Sequence, residues 1–220
     1  MNGKIECITY TPTASFKYTM KIGQLESSNL LNFEDKKRFD AMCVSGCPNY
    51  NKKWSCPPNA PNYSKYITGY INIIIFFIQI NINQFSYIKY DYLKIKAANT
   101  IIKSKADRYI RELAVKYGKY ISTGSCRLCK PCKRKVGLPC LHPEKIAYSY
   151  EAMGIDVNTL VEKYFDTKLL WYKKGQLPEY TSVVCGILTS ALYSFDTLKN
   201  EYNELIKSEK SQREKNEGKN

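Results

Sequence analysis

The chain has 220 residues, of which 44% are hydrophobic, 13% aromatic and 25% charged. This length and composition allow a sizeable buried core, which excludes both wholesale disorder and a small fold that depends on disulfides. The formal net charge of +14 is typical of nucleic-acid-binding proteins, but the lysines are spread along the whole chain, so we expect a solvated basic surface and not a nucleic-acid interface.

We expect neither a signal peptide nor a membrane partner. Residues 1–10 lack the apolar core of a secretory signal. The longest apolar run, residues 71–82, is interrupted by Asn72, Gln79 and Asn81 and is too short to cross a bilayer. The sequence therefore predicts a cytoplasmic protein. In that reducing compartment its nine cysteines indicate ligands or reactive thiols instead of disulfides.

Hydrophobic patterning predicts a single domain of strands and helices. Alternating or β-branched runs predict strands over residues 5–10, 70–82, 120–123, 168–173 and 180–190. Apolar residues at helical spacing predict helices over residues 27–41, 93–117 and 160–165, and from Asp196 onward. These elements favour an α+β or α/β domain over residues 1–195, with a mixed sheet of about five strands. A C-terminal helix and a polar tail, frayed beyond Ile206, complete the chain over residues 196–220.

The long helix predicted over residues 93–117 joins two strands in a β-helix-β unit. Its first strand, residues 70–82, is apolar enough to be central and buried. Its second strand ends at Gly124, where a cysteine-rich loop begins. Because sheets with such crossovers build their sites at the carboxyl ends of strands, we expect the loop over residues 124–143 to be functional.

Four cysteines in that loop have the spacing of metal ligands. Cys126, Cys129 and Cys132 form two consecutive C-x2-C steps, and Cys140 follows after seven more residues. A zinc knuckle needs only one such step and takes its second pair from elsewhere, whereas three closely spaced thiolates wrap around a cuboidal iron–sulfur cluster. The spacing favours a 4Fe-4S cluster held by all four thiols, and zinc is the alternative.

A second loop, residues 43–58, carries Cys43, Cys47 and Cys56. Prolines directly after Cys47 and Cys56 hold the backbone away from helix, which suits a loop wrapped on a metal. A cluster held by three thiolates keeps one iron open for substrate. The sequence therefore predicts one or two metal centres. Alternatively, these three thiols pack in a proline-rich loop or complete a shared site.

His142 is the chain's one histidine and lies two residues after Cys140. It is a candidate metal ligand or catalytic proton donor beside a cluster, or a hydrogen-bond partner of a carbonyl or sulfur. Arg127, Lys130 and Lys133 stabilise thiolates if they face the sulfurs, and otherwise face solvent. The remaining cysteines, Cys7 and Cys185, fall within predicted strands, where we expect them to be small core residues.

Five motifs carry a resemblance to a known family. They are Cys-x3-Cys-Pro-Asn-Tyr at 43–50, Trp-Ser-Cys-Pro-Pro at 54–58, Gly-Ser-Cys-Arg-Leu-Cys-Lys-Pro-Cys at 124–132, Pro-Cys-Leu-His-Pro-Glu-Lys at 139–145 and Glu-Ala-Met-Gly-Ile-Asp-Val at 151–157. Through them the chain resembles the prokaryotic family of predicted metal-binding proteins named domain-of-unknown-function family 2284. The resemblance implies metal or iron–sulfur binding through the seven thiols above, and no particular reaction.

Three functions remain open from the sequence. The first is electron transfer through one four-cysteine cluster, with a redox partner protein or a small molecule. The second is an enzyme, a cluster-dependent oxidoreductase or lyase whose open iron at the three-cysteine group acts as a Lewis acid on a small substrate. The third is a structural zinc protein that presents a basic surface to a protein or nucleic-acid partner.

Overall fold

A five-stranded sheet organises the fold in the computed structural model of the chain, which describes residues 2–217. Its strands are β1 (Asn2–Tyr10), β2 (Ser15–Glu26), β3 (Asn72–Asn81), β4 (Lys119–Ile121) and β5 (Tyr180–Thr189). Their order across the sheet is β1-β2-β3-β5-β4, and each neighbouring pair is antiparallel. The helices are α1 (Lys36–Gly46), α2 (Tyr63–Tyr66), α3 (Asp91–Tyr117), α4 (Val157–Phe165) and α5 (Phe195–Glu217). The predicted single α+β domain of five strands and packed helices is confirmed.

The central strand β3 is buried on both faces because its side chains alternate between two hydrophobic cores. Ile74, Phe76 and Ile78 point into one core, which α3 and α5 cover with residues such as Ile110 and Tyr202. Residues 73, 75 and 77 point into the other, which α2, α4 and the segments around them cover. The continuous apolar run that predicted a buried strand therefore serves two cores at once.

The β-helix-β unit consists of β3, α3 and β4, as predicted. Strand β5 lies between β3 and β4 and is antiparallel to both, so β3 and β4 run in the same direction. Where the sequence predicted a mixed sheet, the pairings are all antiparallel, because β5 enters from the far end of the chain. The residues after β4 still leave the sheet at the carboxyl end of a strand.

Other elements differ from the sequence prediction. Strand β2 was not predicted, although Phe16, Tyr18, Met20 and Ile22 alternate and are buried. Residues 168–173 form no strand and make only an isolated bridge between Lys173 and Gln176.

Both helix predictions near the chain ends are also changed. The helix predicted over residues 27–41 is divided into a 3-10 helix, Ser27–Phe33, and α1. The division occurs at Asp35, whose carboxylate accepts a hydrogen bond from the Arg38 N–H at 3.0 Å and so starts α1. At the C-terminus α5 extends past Ile206 to Glu217. Within residues 2–217 no helix is both long and apolar enough to cross a membrane.

Candidate metal centre

The four-cysteine loop leaves the sheet at the end of β4 and is closed at its base. Ser122 donates its backbone N–H to the Tyr148 carbonyl at 2.8 Å and pairs with Ser149 in a parallel bridge. Between these points the chain forms only two short 3-10 turns, Lys133–Val136 and Pro143–Lys145. Gly137 ends the first turn in the left-handed conformation, with a φ of 72°, and turns the chain back so that Cys140 follows.

The four thiols of this loop line one cavity of about 20 Å³. Cys126, Cys129, Cys132 and Cys140 are all free and partly buried, and His142 lies in the same wall. This small volume has room for about one water-sized particle. We call this space the four-thiol cavity. The sulfurs that the sequence predicted as ligands of one centre thus lie around one space.

The thiols of this cavity are close enough to influence one another electrostatically. Burial, followed by the negative charges of Cys126, Cys132 and Cys140, raises the pKa of Cys129, and the ammonium of Lys133 opposes the rise. If several neighbouring thiols lose their protons, their negative charges repel one another, and a bound metal cation supplies the positive charge that offsets this repulsion. Of the three predicted cations, Lys133 is half-buried near the sulfurs, whereas Arg127 and Lys130 are exposed.

The second cysteine group forms where α1 ends. Cys43 lies in the last turns of α1, and Cys47 follows the helix and donates its N–H to the Cys43 carbonyl at 3.1 Å. Cys56 is 6% exposed. Burial raises the pKa of the Cys56 thiol to about 11, and the charges of Cys47 and Cys43 contribute to that rise. The charges of Cys43 and Cys47 thus act on the Cys56 thiol, and none of the three thiols lines the four-thiol cavity.

The two cysteine loops are joined by residues that the sequence analysis did not predict as functional. Ser55 Oγ accepts a hydrogen bond from the Cys126 N–H at 2.8 Å. Lys53 Nζ donates to Ser125 Oγ at 3.0 Å and to the Cys126 carbonyl at 3.1 Å. The segment between Cys47 and Cys56 is therefore attached to the start of the four-cysteine loop.

A tryptophan extends this attachment to the far side of the four-cysteine loop. Trp54 Nε1 donates to the Leu138 carbonyl at 3.0 Å, and the Arg134 guanidinium lies 5.1 Å from the Trp54 ring centroid. Trp54 and Ser55 both line the four-thiol cavity. The motif Trp-Ser-Cys-Pro-Pro at 54–58 was the signal that pointed to this segment.

The predicted ligands are gathered in two groups, but they do not form a closed ion site. Within residues 2–217 no three side chains of Cys, His, Asp or Glu form a group that could hold a metal ion as they stand. The seven thiols and His142 therefore remain predicted ligands. The donor set itself fits a soft or borderline metal, because four free thiols and an imidazole share one cavity.

The two cysteines predicted as core residues are buried in the sheet. Cys7 and Cys185 are 4% and 0% exposed and belong to the core under α3 and α5. Burial raises the pKa of Cys185 well above its usual range. Their position away from both loops makes them suitable controls for the predicted ligands.

The search for similar proteins gave one match. Residues 30–188 match the family described as predicted metal-binding protein, DUF2284. Comparisons with curated proteins and with solved structures gave no match. The matched range contains all seven predicted thiol ligands and His142.

Proposed function

Because the chain belongs to the DUF2284 family of predicted metal-binding proteins, we propose that its four-cysteine loop holds an iron–sulfur cluster of the 4Fe-4S type. The ligands would be Cys126, Cys129, Cys132 and Cys140. One observation carries the proposal: these four thiols are free and line one cavity. Their two consecutive C-x2-C steps support a cluster over a single ion.

The residues around the thiols would protect and orient this centre. Trp54, Leu128 and Ile146 form apolar parts of the cavity wall and limit the access of water. The bond from the Cys126 N–H to Ser55 fixes the first ligand against the neighbouring loop. The bound cluster would supply one-electron transfer, to a redox partner protein or a small molecule.

We further propose a second centre at Cys43, Cys47 and Cys56. Its support is that Cys43 and Cys47 lie at the end of α1 and that their charges raise the pKa of the Cys56 thiol. Three protein thiolates would leave a coordination position open, which is the requirement for Lewis-acid chemistry on a small substrate. Ser55 lies between Cys56 and Cys126, so the two centres would be neighbours. This arrangement supports the oxidoreductase or lyase alternative.

A structural zinc site is the second candidate function. The small size of the four-thiol cavity favours it, because about 20 Å³ suits one ion better than a cuboidal cluster. The same four thiols would then hold zinc tetrahedrally. The basic surface around the loop would be available to a protein or nucleic-acid partner.

A cysteine series tests the cluster at the first centre. We would change Cys126, Cys129, Cys132 and Cys140 singly to Ser and purify each variant without oxygen. Each change is expected to remove the iron, the acid-labile sulfide and the visible absorption of this cluster, which is about half of the total if the second centre is filled, whereas the core control Cys185→Ala keeps all three. Zinc without sulfide in the unaltered chain would select the zinc candidate. Equal iron and sulfide in all variants would overturn the proposal.

The second centre needs its own test. The triple change of Cys43, Cys47 and Cys56 to Ser is expected to lower iron per chain by about half, since one of two clusters is lost. The matched control is Cys7→Ala, which removes a buried thiol outside both loops. Unchanged iron in the triple variant would leave the four-thiol centre as the chain's one cluster site.

A further inference from the structure

A cavity of about 600 Å³ adjoins the proposed cluster site. The C-terminal half of α3, strand β4 and the end of the four-cysteine loop form its walls. Its volume lies in the range of small-molecule binding sites. We call it the β4 cavity.

The β4 cavity shares a wall with the four-thiol cavity. Leu128 and Ile146 line both spaces. Leu128 lies between two of the predicted ligands in sequence, and Ile146 follows His142 by four residues. The two side chains therefore form part of the partition between the two spaces.

The walls of the β4 cavity are mostly apolar or aromatic. The aromatic residues Tyr66, Tyr70 and Tyr120 line it, together with the aliphatic Leu128 and Ile146. Tyr66 and Tyr120 are buried, and the Tyr66 hydroxyl donates to the Tyr120 carbonyl at 3.1 Å. These rings are thus held in place and give the cavity a fixed wall of mainly apolar character.

Three cationic residues also line the cavity, Arg111, Lys119 and Lys145, and none has a carboxylate partner within residues 2–217. Lys119 Nζ lies 3.6 Å from the Tyr66 ring centroid. Burial lowers the pKa of Lys119. The Arg111 guanidinium lies 4.7 Å from the Tyr120 ring centroid and donates to the Lys145 carbonyl at 3.1 Å.

The charge balance of the lining is positive. Its one carboxylate, Glu144, is exposed at the surface. Elsewhere in the fold, half-buried lysines such as Lys36 and Lys105 are paired with carboxylates. The ammonium of Lys119 is half-buried and has no carboxylate partner, which favours an anionic ligand in this cavity.

We propose that the β4 cavity binds a small organic monoanion, a carboxylate with an aromatic body, beside the metal centre. The carboxylate would pair with Lys119, and the ring would pack on the tyrosines and reach Leu128 and Ile146. The mostly apolar walls disfavour both a polyphosphate and a small inorganic anion. The ligand's role as a substrate of the centre rests on the function proposed above, whereas its binding does not.

Titration with 2-naphthoate tests the binding, and the neutral 2-naphthamide is the matched probe of the same shape. Protein purified without oxygen is expected to bind naphthoate at least about tenfold more tightly than naphthamide, because only naphthoate forms the charged hydrogen bond. Naphthyl fluorescence reports the binding of both. Equal affinities for the two probes, or no binding of naphthoate, would overturn the proposal.

Variants of Lys119 locate the site. Lys119→Gln is expected to weaken naphthoate binding by about tenfold and to leave naphthamide binding unchanged, whereas Lys119→Arg keeps the preference for the anion. The control is Lys96→Gln, which removes an exposed lysine from the first half of α3. If naphthoate binds the Lys119→Gln variant as tightly as it binds the unaltered chain, the assignment of Lys119 to the binding site is contradicted.

Metal content measured on the same samples separates the two proposals. If a chain without metal binds naphthoate more tightly than naphthamide, the proposal for the β4 cavity is supported and only the cluster proposal is contradicted. If the metal-loaded chain does not bind naphthoate, only the proposal for the β4 cavity is contradicted. Because the β4 cavity adjoins the proposed cluster site, the visible spectrum gives a further readout. Naphthoate is expected to perturb the visible spectrum of the loaded protein, whereas naphthamide at equal concentration is not expected to perturb it.

Discussion

Ser55 is the residue through which the two cysteine loops meet. Its Oγ accepts the Cys126 N–H at 2.8 Å and lies 3.9 Å from Cys56 Sγ. Ser55 is 1% exposed, so water cannot replace these contacts. One buried hydroxyl therefore links a predicted ligand of one centre to a predicted ligand of the other.

Removing this hydroxyl is expected to weaken metal retention. Ser55→Ala leaves the Cys126 N–H without its acceptor and loosens the first ligand, so we predict metal loss to a chelator about tenfold faster than in the unaltered chain. The control Ser208→Ala removes a hydroxyl that bonds only the exposed helix α5, at the Leu205 carbonyl. Equal rates for Ser55→Ala and Ser208→Ala would show that Ser55 does not support the centre.

Tyr150 illustrates a different residue-level effect. It is 0% exposed, and its hydroxyl has no hydrogen-bond partner within residues 2–217. Because an unpaired buried hydroxyl costs free energy, we predict that Tyr150→Phe raises the free energy of unfolding by about 1 kcal/mol. Urea denaturation of the purified variant measures this change.

The matched control for Tyr150 is Tyr63, which is equally buried but donates its hydroxyl to the Ser27 carbonyl at 3.1 Å. Tyr63→Phe is expected to lower the free energy of unfolding by about 1 kcal/mol, because it leaves that carbonyl without its donor. If both changes destabilise the chain alike, Tyr150 has a partner after all.

The sequence predicted the grouping of the thiols better than it predicted the residues that hold the cysteine loops together. The C-x2-C steps are local, so the grouping of Cys126, Cys129 and Cys132 follows from spacing alone. Lys53 and Ser55 act through bonds that span about 70 residues of chain, and no local pattern encodes such a bond. His142 lies in the wall of the four-thiol cavity. This position does not decide among its predicted roles as a metal ligand, a proton donor or a hydrogen-bond partner.

At the scale of elements, the carboxylate of Glu209 attaches the later turns of α5 to α3. Glu209 Oε1 lies 2.6 Å from Lys105 Nζ and 3.0 Å from the Arg108 guanidinium, and its other oxygen accepts the Tyr109 hydroxyl. Glu209 is 9% exposed. These contacts explain why the polar end of α5 remains a helix on the protein surface.

Replacing Glu209 by Gln is expected to lower the free energy of unfolding by about 2 kcal/mol at neutral pH, because Lys105 loses its charged partner. The control Glu204→Gln changes an exposed carboxylate on the same helix and is expected to have little effect. Thermal or urea unfolding of both variants measures the difference. Equal stabilities of the two variants would contradict the role of Glu209.

The same carboxylate predicts a pH dependence. Burial raises the pKa of Glu209, but the bonds from Lys105 and Tyr109 outweigh it, so its pKa is lowered from the usual 4.5. A carboxyl with a lowered pKa in the folded state stabilises the fold above its unfolded pKa and loses that effect as pH falls. The stability gap between the unaltered chain and Glu209→Gln is therefore expected to be full at pH 7 and to shrink below about pH 4.

Element prediction was accurate for the longest apolar patterns. The 27 residues of α3 follow from helical periodicity, and β3 follows from its continuous apolar run. Residues 168–173 have the aromatic and aliphatic content of a strand, but Trp171 is 66% exposed and no neighbouring strand pairs with it. Pairing partners lie far along the chain, which is also why a mixed sheet was expected where all pairings are antiparallel.

For the whole molecule, the two cores and the two cysteine loops are separate parts of one domain. Both cores rest on the sheet, and the predicted thiol ligands belong to neither. The four-cysteine loop has no long helix or strand of its own. Bound metal is therefore expected to order the loops more than the sheet.

Limited trypsin digestion tests this separation. Metal-depleted protein, or the Cys129→Ser variant, is expected to be cut first after Arg127 and Lys135, which are exposed in the loop, at a rate at least about tenfold above that of loaded protein. Lys96 on α3 serves as the internal control and stays uncut. Equal digestion of loaded and depleted protein would show that the loop orders without metal.

The most direct test of the proposed centre is the content of iron, acid-labile sulfide and zinc per chain in material purified without oxygen. We expect about four iron and four sulfide ions for the four-thiol centre, about twice that if the second centre is filled, and no stoichiometric zinc. Zinc in place of iron and sulfide, or a chain that contains no metal, would contradict it.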